Sequence, residues 1–225
     1  MSPLQKIAMG LVIVFVPANF AIAGHTYDAL PDPLGWVLVL VGLKALRPYV
    51  DVDVATWCAW VALLVSIPLW LPQVTELLPS IPEHLRTQHQ LDQATKAASI
   101  AWAFALPQSA MSLLLVRRIS EDGIVQEPRD VFVAGRFGVL TWGLIAVIVL
   151  PPIAYGGDVE NLITPTLIGI GLVNVVLIYY LFRVHRREWL GGPGPLLVAP
   201  RNPDGTRRTE KAEDRPPDQG ERPST

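Results

Sequence analysis

The fold is decided by the stretch LPDPLGW at residues 30–36, which the apolar run 37–43 follows directly. Proline lacks a backbone N–H and restricts the residue before it, so a helix arriving from the N-terminal side cannot continue through Pro31 and Pro33. The same residues suit the start of a new helix, because Asp32 can act as the N-cap and Pro33 fits the first turn. We therefore expect a hairpin that turns here, with a return helix capped by Asp32 at a membrane surface.

The composition is typical of a membrane protein. Of the 225 residues, 51% are hydrophobic and 17% are charged, whereas a soluble domain carries about 25% charged residues. The single cysteine, Cys58, excludes an intramolecular disulfide. Because Cys58 lies within an apolar run, we expect a buried thiol that behaves as a small hydrophobic side chain.

Six apolar runs predict an all-α integral membrane bundle of about six transmembrane helices within residues 1–187. The runs are 7–23, 33–46, 54–71, 97–116, 137–154 and 165–182. Two of them leave alternatives open. Residues 7–23 fit an uncleaved first span, which we favour because the later runs need no separate export signal, or a cleaved signal peptide. Residues 33–46 are short and fit either a full span or a re-entrant element.

The C-terminal segment 188–225 is rich in glycine, proline and charged residues. Such a segment cannot bury enough apolar surface to offset the entropy lost on ordering. We expect a disordered cytoplasmic tail.

Lysine and arginine are sorted to one side if the six runs alternate across the bilayer. Ten lie in the inner segments: Lys6, Lys44, Arg47, Arg117, Arg118, Arg129, Arg136, Arg183, Arg186 and Arg187. Six more lie in the tail, and two, Arg86 and Lys96, lie in the outer segments. The positive-inside rule then predicts that both termini are cytoplasmic.

The LPDxxG element formed by residues 30–35 resembles one in small, uncharacterised multi-pass membrane proteins of Gram-positive bacteria, actinobacteria especially. The resemblance covers this motif and the general hydropathy of the chain. It implies a location in the bacterial cell membrane and implies no activity.

Four polar residues are predicted to face the interior of the bundle: Asn19, Gln108, Ser112 and Asn174. Amides in hydrocarbon need hydrogen-bond partners, which other helices can supply. One interpretation is that they join helices by hydrogen bonds. The other is that they line a path for a solute or an ion.

Four small residues recur at every fourth position of the fourth run: Ala97, Ala101, Ala105 and Ser109. This spacing places them on one helix face, where small side chains let another helix approach closely. We interpret the row as a packing surface.

The sequence carries no catalytic signature. No nucleophile elbow, zinc-protease motif or phosphate-binding loop is found, and the six runs contain no Asp or Glu. His84 and His89 are five residues apart, which is not the spacing of ligands on one helix face. We expect no enzymatic activity, no cofactor and no metal.

Two functions remain. The first is a non-enzymatic membrane scaffold or accessory subunit, whose partners are the lipid bilayer and either another membrane protein or a second copy of the chain, with no nucleic acid. The second is a small-solute or ion transporter or channel with a polar path near Gln108 and Asn174.

Overall fold

The computed structural model describes residues 1–15, 19–22, 25–28, 32–70, 88–157 and 160–194. Only the backbone is described for 19–22, 25–28, 69–70, 88–99, 101, 155–156 and 160. Residues Met1–Gly194 form one compact unit. Most of the predicted tail therefore lies outside the described residues.

Six α-helices make up the described part of the chain, so the predicted all-α class is confirmed at this level. They are α1 (Pro3–Phe15), α2 (Asp32–Leu46), α3 (Asp53–Trp70), α4 (Gln88–Val125), α5 (Val131–Gly156) and α6 (Glu160–Val184). Between α1 and α2, the short strands β1 (Asn19–Ile22) and β2 (His25–Asp28) form an antiparallel ribbon.

The helices form a closed ring. Each helix packs on its neighbours in the chain, and α6 packs back on α1. The pairs α2–α3, α4–α5 and α5–α6 are joined by short turns and run antiparallel. The other two pairs are antiparallel by their contacts: Gly42 late in α2 lies beside Ile7 early in α1, and Arg118 late in α4 pairs with Asp51 just before α3. The ring therefore has two ends, and the chain passes from one to the other with each helix.

Helix α1 differs from the predicted first span 7–23 at both of its ends. The Ser2 hydroxyl oxygen accepts a hydrogen bond from the Gln5 amide at 3.2 Å, and the Gln5 side-chain oxygen accepts one from the Ser2 amide at 3.0 Å. This capping box starts the helix at Pro3. The helix ends at Phe15, two residues before the helix-breaking Pro17. Asn19 consequently lies on β1 and not late in a helix, which corrects its predicted place.

Helix α4 is longer than the predicted run 97–116. It has 38 residues, a length of about 57 Å at 1.5 Å per residue. Polar residues on both sides of the apolar run continue the helix, because helix formation depends on backbone hydrogen bonds and not on apolar character. At its C-terminal end, Arg117 and Glu121 form an i,i+4 ion pair at 2.7 Å.

The core is apolar and includes residues of the predicted tail. The largest fully buried side chains are Trp36, Phe137, Leu4, Ile7, Leu11, Leu43, Leu46, Met111, Leu115, Ile119, Leu144 and Leu177. Leu190 is also fully buried and belongs to a 3₁₀ turn, Glu188–Leu190. The ordered chain thus extends beyond residue 187, the predicted boundary, since Leu190 gains more from burial than the turn loses in entropy.

Among the described residues, two helices are, by length and composition, long and apolar enough to cross a bilayer. They are Val131–Ala154 in α5 and Asn161–Val184 in α6, and 28% and 11% of their most apolar windows are buried. Pro3–Phe15 and Asp53–Pro68 are apolar but shorter. Most residues of these two windows are therefore not buried within the described unit.

Candidate functional site

One end of the ring brings together segments that are far apart in the sequence. Gly191 follows the 3₁₀ turn with a left-handed backbone, φ 72°. A Cβ atom on Gly191 would lie 2.7 Å from a ring carbon of Tyr49 and 3.1 Å from the Pro3 side chain. The end of the ordered chain, the α2–α3 turn and the start of α1 therefore meet here.

Two ion pairs add the α4–α5 turn to this end. Arg187 Nε lies 3.0 Å from Asp130 Oδ2, and Arg118 Nη2 lies 3.6 Å from Asp51 Oδ2. The Asp130 side chain is 10% exposed, and its other oxygen accepts a hydrogen bond from the Val133 amide as the N-cap of α5. We call this end, made of residues 1–6, 44–53, 117–136 and 183–194, the basic end.

The basic end holds every lysine and arginine whose side chain the structure describes. These are Lys6, Lys44, Arg47, Arg117, Arg118, Arg129, Arg136, Arg183, Arg186 and Arg187. Seven carboxylates accompany them: Asp51, Asp53, Glu121, Asp122, Glu127, Asp130 and Glu188. Beyond this end, the described side chains include one further carboxylate, Asp32. Among the side chains that the structure describes, the charges are thus concentrated at one end.

The pKa of the Asp122 carboxyl is raised, chiefly because partial burial removes water from the ionised form. The guanidinium of Arg118 opposes this effect, whereas the carboxylates of Glu121 and Asp51 reinforce it. The protonated form of Asp122 is therefore favoured by folding.

Helices α1 and α2 touch through glycines. A Cβ on Gly42 would lie 2.5 Å from Ile7 Cγ1 and 2.9 Å from the Ile7 backbone nitrogen. A Cβ on Gly10 would lie 2.5 Å from the Gly35 carbonyl oxygen. The two backbones are in direct contact, which is the packing that small residues permit between membrane helices.

Asp32 stands in the first turn of α2, where a carboxylate interacts favourably with the helix dipole. The helix begins at Asp32 itself, one residue earlier than the predicted run 33–46. The N-cap role of Asp32 stays a prediction, since a difference of one residue lies within the spread of helix-boundary definitions.

The residues predicted to form a polar interior lie on different helices. Ser112 is 1% exposed on α4, and its hydroxyl has no hydrogen-bond partner among the described residues. Gln108 on α4 and Asn174 on α6 are half-buried. Both helices pack on α5, while α4 and α6 do not form one of the main helix interfaces. The side chain of Asn19 lies outside the described residues.

The small-residue row lies on α4. Ala105 and Ser109 are half-buried, and the side chains of Ala97 and Ala101 lie outside the described residues. The packing role of the row stays a prediction.

A hydrogen bond that sequence reasoning missed joins α4 to α5. Trp102 Nε1 donates to the Ile148 carbonyl at 3.1 Å. In a regular helix this carbonyl would accept from residue 152, which is a proline and has no N–H. The sequence signal was available, because each proline inside a helix leaves a carbonyl that another donor can satisfy.

The LPDxxG resemblance stays an expectation. No protein-family model, curated protein or solved structure matches the chain.

Proposed function

We propose that the chain is a multi-pass integral membrane protein of the bacterial cell membrane, with six spans and both termini in the cytoplasm. The observation that carries this proposal is the gathering of the ten described lysines and arginines at the basic end. Cytoplasmic segments of membrane proteins carry such an excess of positive residues. An alternating six-helix ring with the basic end inside places these ten residues on the cytoplasmic side and leaves Arg86 and Lys96 in the outer segments.

The apolar outer surface supports the same proposal. Large side chains on α3, α5 and α6 point away from the core: Trp57 is 72% exposed, Val139 72%, Trp142 73% and Val175 64%. In water, an apolar surface of this extent would drive aggregation. In lipid it is the expected surface of a spanning helix.

The helix lengths support two of the proposed spans directly. Helices α5 and α6, of 26 and 25 residues, are about 39 and 37 Å long and exceed the hydrocarbon thickness of about 30 Å. Helices α1 and α2, of 13 and 15 residues, are about 20 and 22 Å long. This hairpin is shorter than the hydrocarbon thickness of about 30 Å, and we place the ribbon that joins its helices (Asn19–Ile22 and His25–Asp28) at the outer surface of the membrane.

Within the membrane, we propose a non-enzymatic role as a scaffold or accessory subunit. The half of the ring next to the basic end is filled by large apolar side chains, including Trp36, Met111 and Phe137. Such a packed interior suits a structural component better than a solute path. The row containing Ala105 and Ser109 is the surface that we assign to a protein partner or a second copy of the chain.

Two experiments test this proposal. Washing membranes at alkaline pH should leave the protein in the pellet, and its release would contradict membrane integration. After extraction in mild detergent, Ala105→Leu should reduce recovery of a co-purifying membrane protein or of the self-associated species. Ala103→Leu, the same change at an exposed position of α4, is the matched control. Equal recovery with both variants would contradict the scaffold surface.

One observation favours the second function, a transporter or channel. Gln108 precedes Arg118 by ten residues and Asn174 precedes Val184 by ten, so each amide lies about 15 Å from the basic end along its helix. This is the middle of a bilayer of about 30 Å. Single cysteines at these two positions that react with a charged thiol reagent would favour a water-filled path, and protection of both would favour the scaffold.

A further inference from the structure

A groove of about 370 Å³ lies between α4 and α5, beside the 73% exposed side chain of Trp142. Its volume falls in the range of ligand sites, about 300–1,000 Å³. Leu113, Leu114, Arg117 and Glu121 line it from α4, and Trp142 and Ile145 line it from α5. Gly138 and Ser120 also line it, and a Cβ on Gly138 would lie 3.5 Å from the Ser120 hydroxyl, at ordinary van der Waals distance.

Polarity changes from one end of the groove to the other. Arg117 and Glu121 lie toward the basic end, whereas Leu113 and Ile145 lie deeper along their antiparallel helices. From Leu113 to Glu121, α4 rises about 12 Å. The groove therefore has a charged mouth at the basic end and an apolar floor toward the middle of the bundle.

The two hydroxyl groups of the groove are already used. Ser120 donates to the Ala134 carbonyl at 2.9 Å, and Thr141 donates to the Phe137 carbonyl at 2.9 Å. Arg117 and Glu121 are 64% and 42% exposed and pair with each other at 2.7 Å. A ligand at the mouth of the groove would therefore be recognised by this pair of opposite charges.

We propose that the groove binds a phospholipid of the cytoplasmic leaflet whose headgroup carries both a phosphate and a primary ammonium, as phosphatidylethanolamine does. The phosphate binds Arg117, the ammonium binds Glu121, and an acyl chain lies on Leu113, Leu114 and Ile145. The inference rests on the proposed membrane location.

Charge complementarity selects this headgroup. A headgroup with negative charge alone would place its charge beside Glu121, whereas a zwitterion satisfies both members of the pair. Arg118 Nη1 lies 3.5 Å from Glu121 Oε2, farther than the 2.7 Å pair with Arg117, so Glu121 loses its closer cation when a phosphate takes Arg117 and the ammonium replaces it. Trp142, which is 73% exposed at the groove, has the amphipathic ring that is enriched at the membrane interface.

Native mass spectrometry of the detergent-solubilised full chain tests the proposal, with phosphatidylethanolamine, phosphatidylglycerol and phosphatidylcholine titrated separately. The wild type should bind phosphatidylethanolamine several-fold more tightly than the other two. Arg117→Gln should weaken this binding about tenfold, as expected for the loss of a hydrogen bond to a charged group. Glu121→Gln should abolish the preference over phosphatidylglycerol, and Trp142→Ala should weaken all three lipids.

Matched controls are available at the same end of the ring. Arg47 and Asp53 form an exposed pair at 2.9 Å, and Trp57 on α3 is 72% exposed. Arg47→Gln, Asp53→Asn and Trp57→Ala should bind phosphatidylethanolamine like the wild type.

Three results would overturn the groove assignment: tighter binding of phosphatidylglycerol than of phosphatidylethanolamine, wild-type lipid binding by Arg117→Gln and Glu121→Gln, or equal losses in the control variants. A protein that stays in membranes yet gives one of these results refutes the lipid site alone. A protein that is soluble without detergent refutes the membrane location itself.

Discussion

Replacing Trp102 by phenylalanine should weaken the contact between α4 and α5. The indole N–H of Trp102 donates to the Ile148 carbonyl at 3.1 Å, which has no intrahelical donor because residue 152 is proline. Phenylalanine keeps an aromatic ring but has no donor. In the proposed membrane-spanning segment, which water does not reach, the carbonyl would then be left without a partner.

The size of the effect follows from two contributions. A net hydrogen bond is worth about 1 kcal/mol, and couplings measured between membrane helices average about 0.6 kcal/mol with a maximum of about 1.7. The smaller ring adds a loss of packing contacts at a half-buried position. We expect Trp102→Phe to lower the free energy of unfolding by about 1–2 kcal/mol, of which about 0.6–1.5 belongs to the hydrogen bond.

A double-mutant cycle separates these contributions. Pro152→Ala restores an N–H for the Ile148 carbonyl, so Trp102→Phe should cost less in that background by the value of the hydrogen bond. The free energy of unfolding is measured by titrating sodium dodecyl sulfate into mild-detergent micelles and following helicity by circular dichroism. Trp57→Phe, at a 72% exposed position of α3, is the control. An equal cost of Trp102→Phe with and without Pro152 would refute the reasoning.

Three further predictions concern stability. Gly42→Ala should lower the free energy of unfolding by about 1–3 kcal/mol, because its Cβ would lie 2.9 Å from a backbone nitrogen of α1. Gly169→Ala, which has nothing within 4 Å of its Cβ, should raise the free energy of unfolding by about 0.4–1 kcal/mol. The same titration measures both variants, and equal effects would count against the glycine contact. Folding raises the pKa of Asp122, so the folded state binds the proton more tightly and stability falls as the pH rises from about 4 through that pKa. Asp122→Asn should remove this part of the pH dependence of the melting temperature, and an unchanged profile would contradict the assignment. Arg187→Gln should cost about 1 kcal/mol because it removes the 3.0 Å ion pair with the nearly buried Asp130, and a variant as stable as the wild type would show that the pair does not hold the two segments together.

Helix boundaries can be predicted where prolines or capping residues mark them in the sequence. The second run predicts a helix at 33–46, and the helix is Asp32–Leu46. The agreement is close because Pro31 and Pro33 restrict the backbone only of themselves and of the residue before each. The first run was placed too late because it was defined by hydropathy alone. Ser2 and Gln5 carry a capping-box pattern, which a search for helix starts would have found.

Contacts between helices could not be predicted in the same way. The Trp102–Ile148 bond and the groove beside Trp142 depend on which faces of α4 and α5 meet, and helical periodicity does not specify that choice between apolar faces. The apolar run 97–116 is also shorter than α4, because the ion pair between Arg117 and Glu121 supports the helix beyond the apolar segment. Sorting of charge was the part of the sequence that carried most information, since it depends on the order of segments and not on their packing.

The central claim is that the basic end faces the cytoplasm and the opposite end faces outward. This orientation is tested most directly in a Cys58→Ala background that carries a single new cysteine. One variant is Arg129→Cys, in the α4–α5 turn of the basic end, and the other is Gly157→Cys, in the turn after α5. Both positions are exposed. A membrane-impermeant maleimide added to intact cells should label the cysteine at 157 at once and the cysteine at 129 only after the cells are permeabilised. Labelling at 129 from outside intact cells would contradict the orientation.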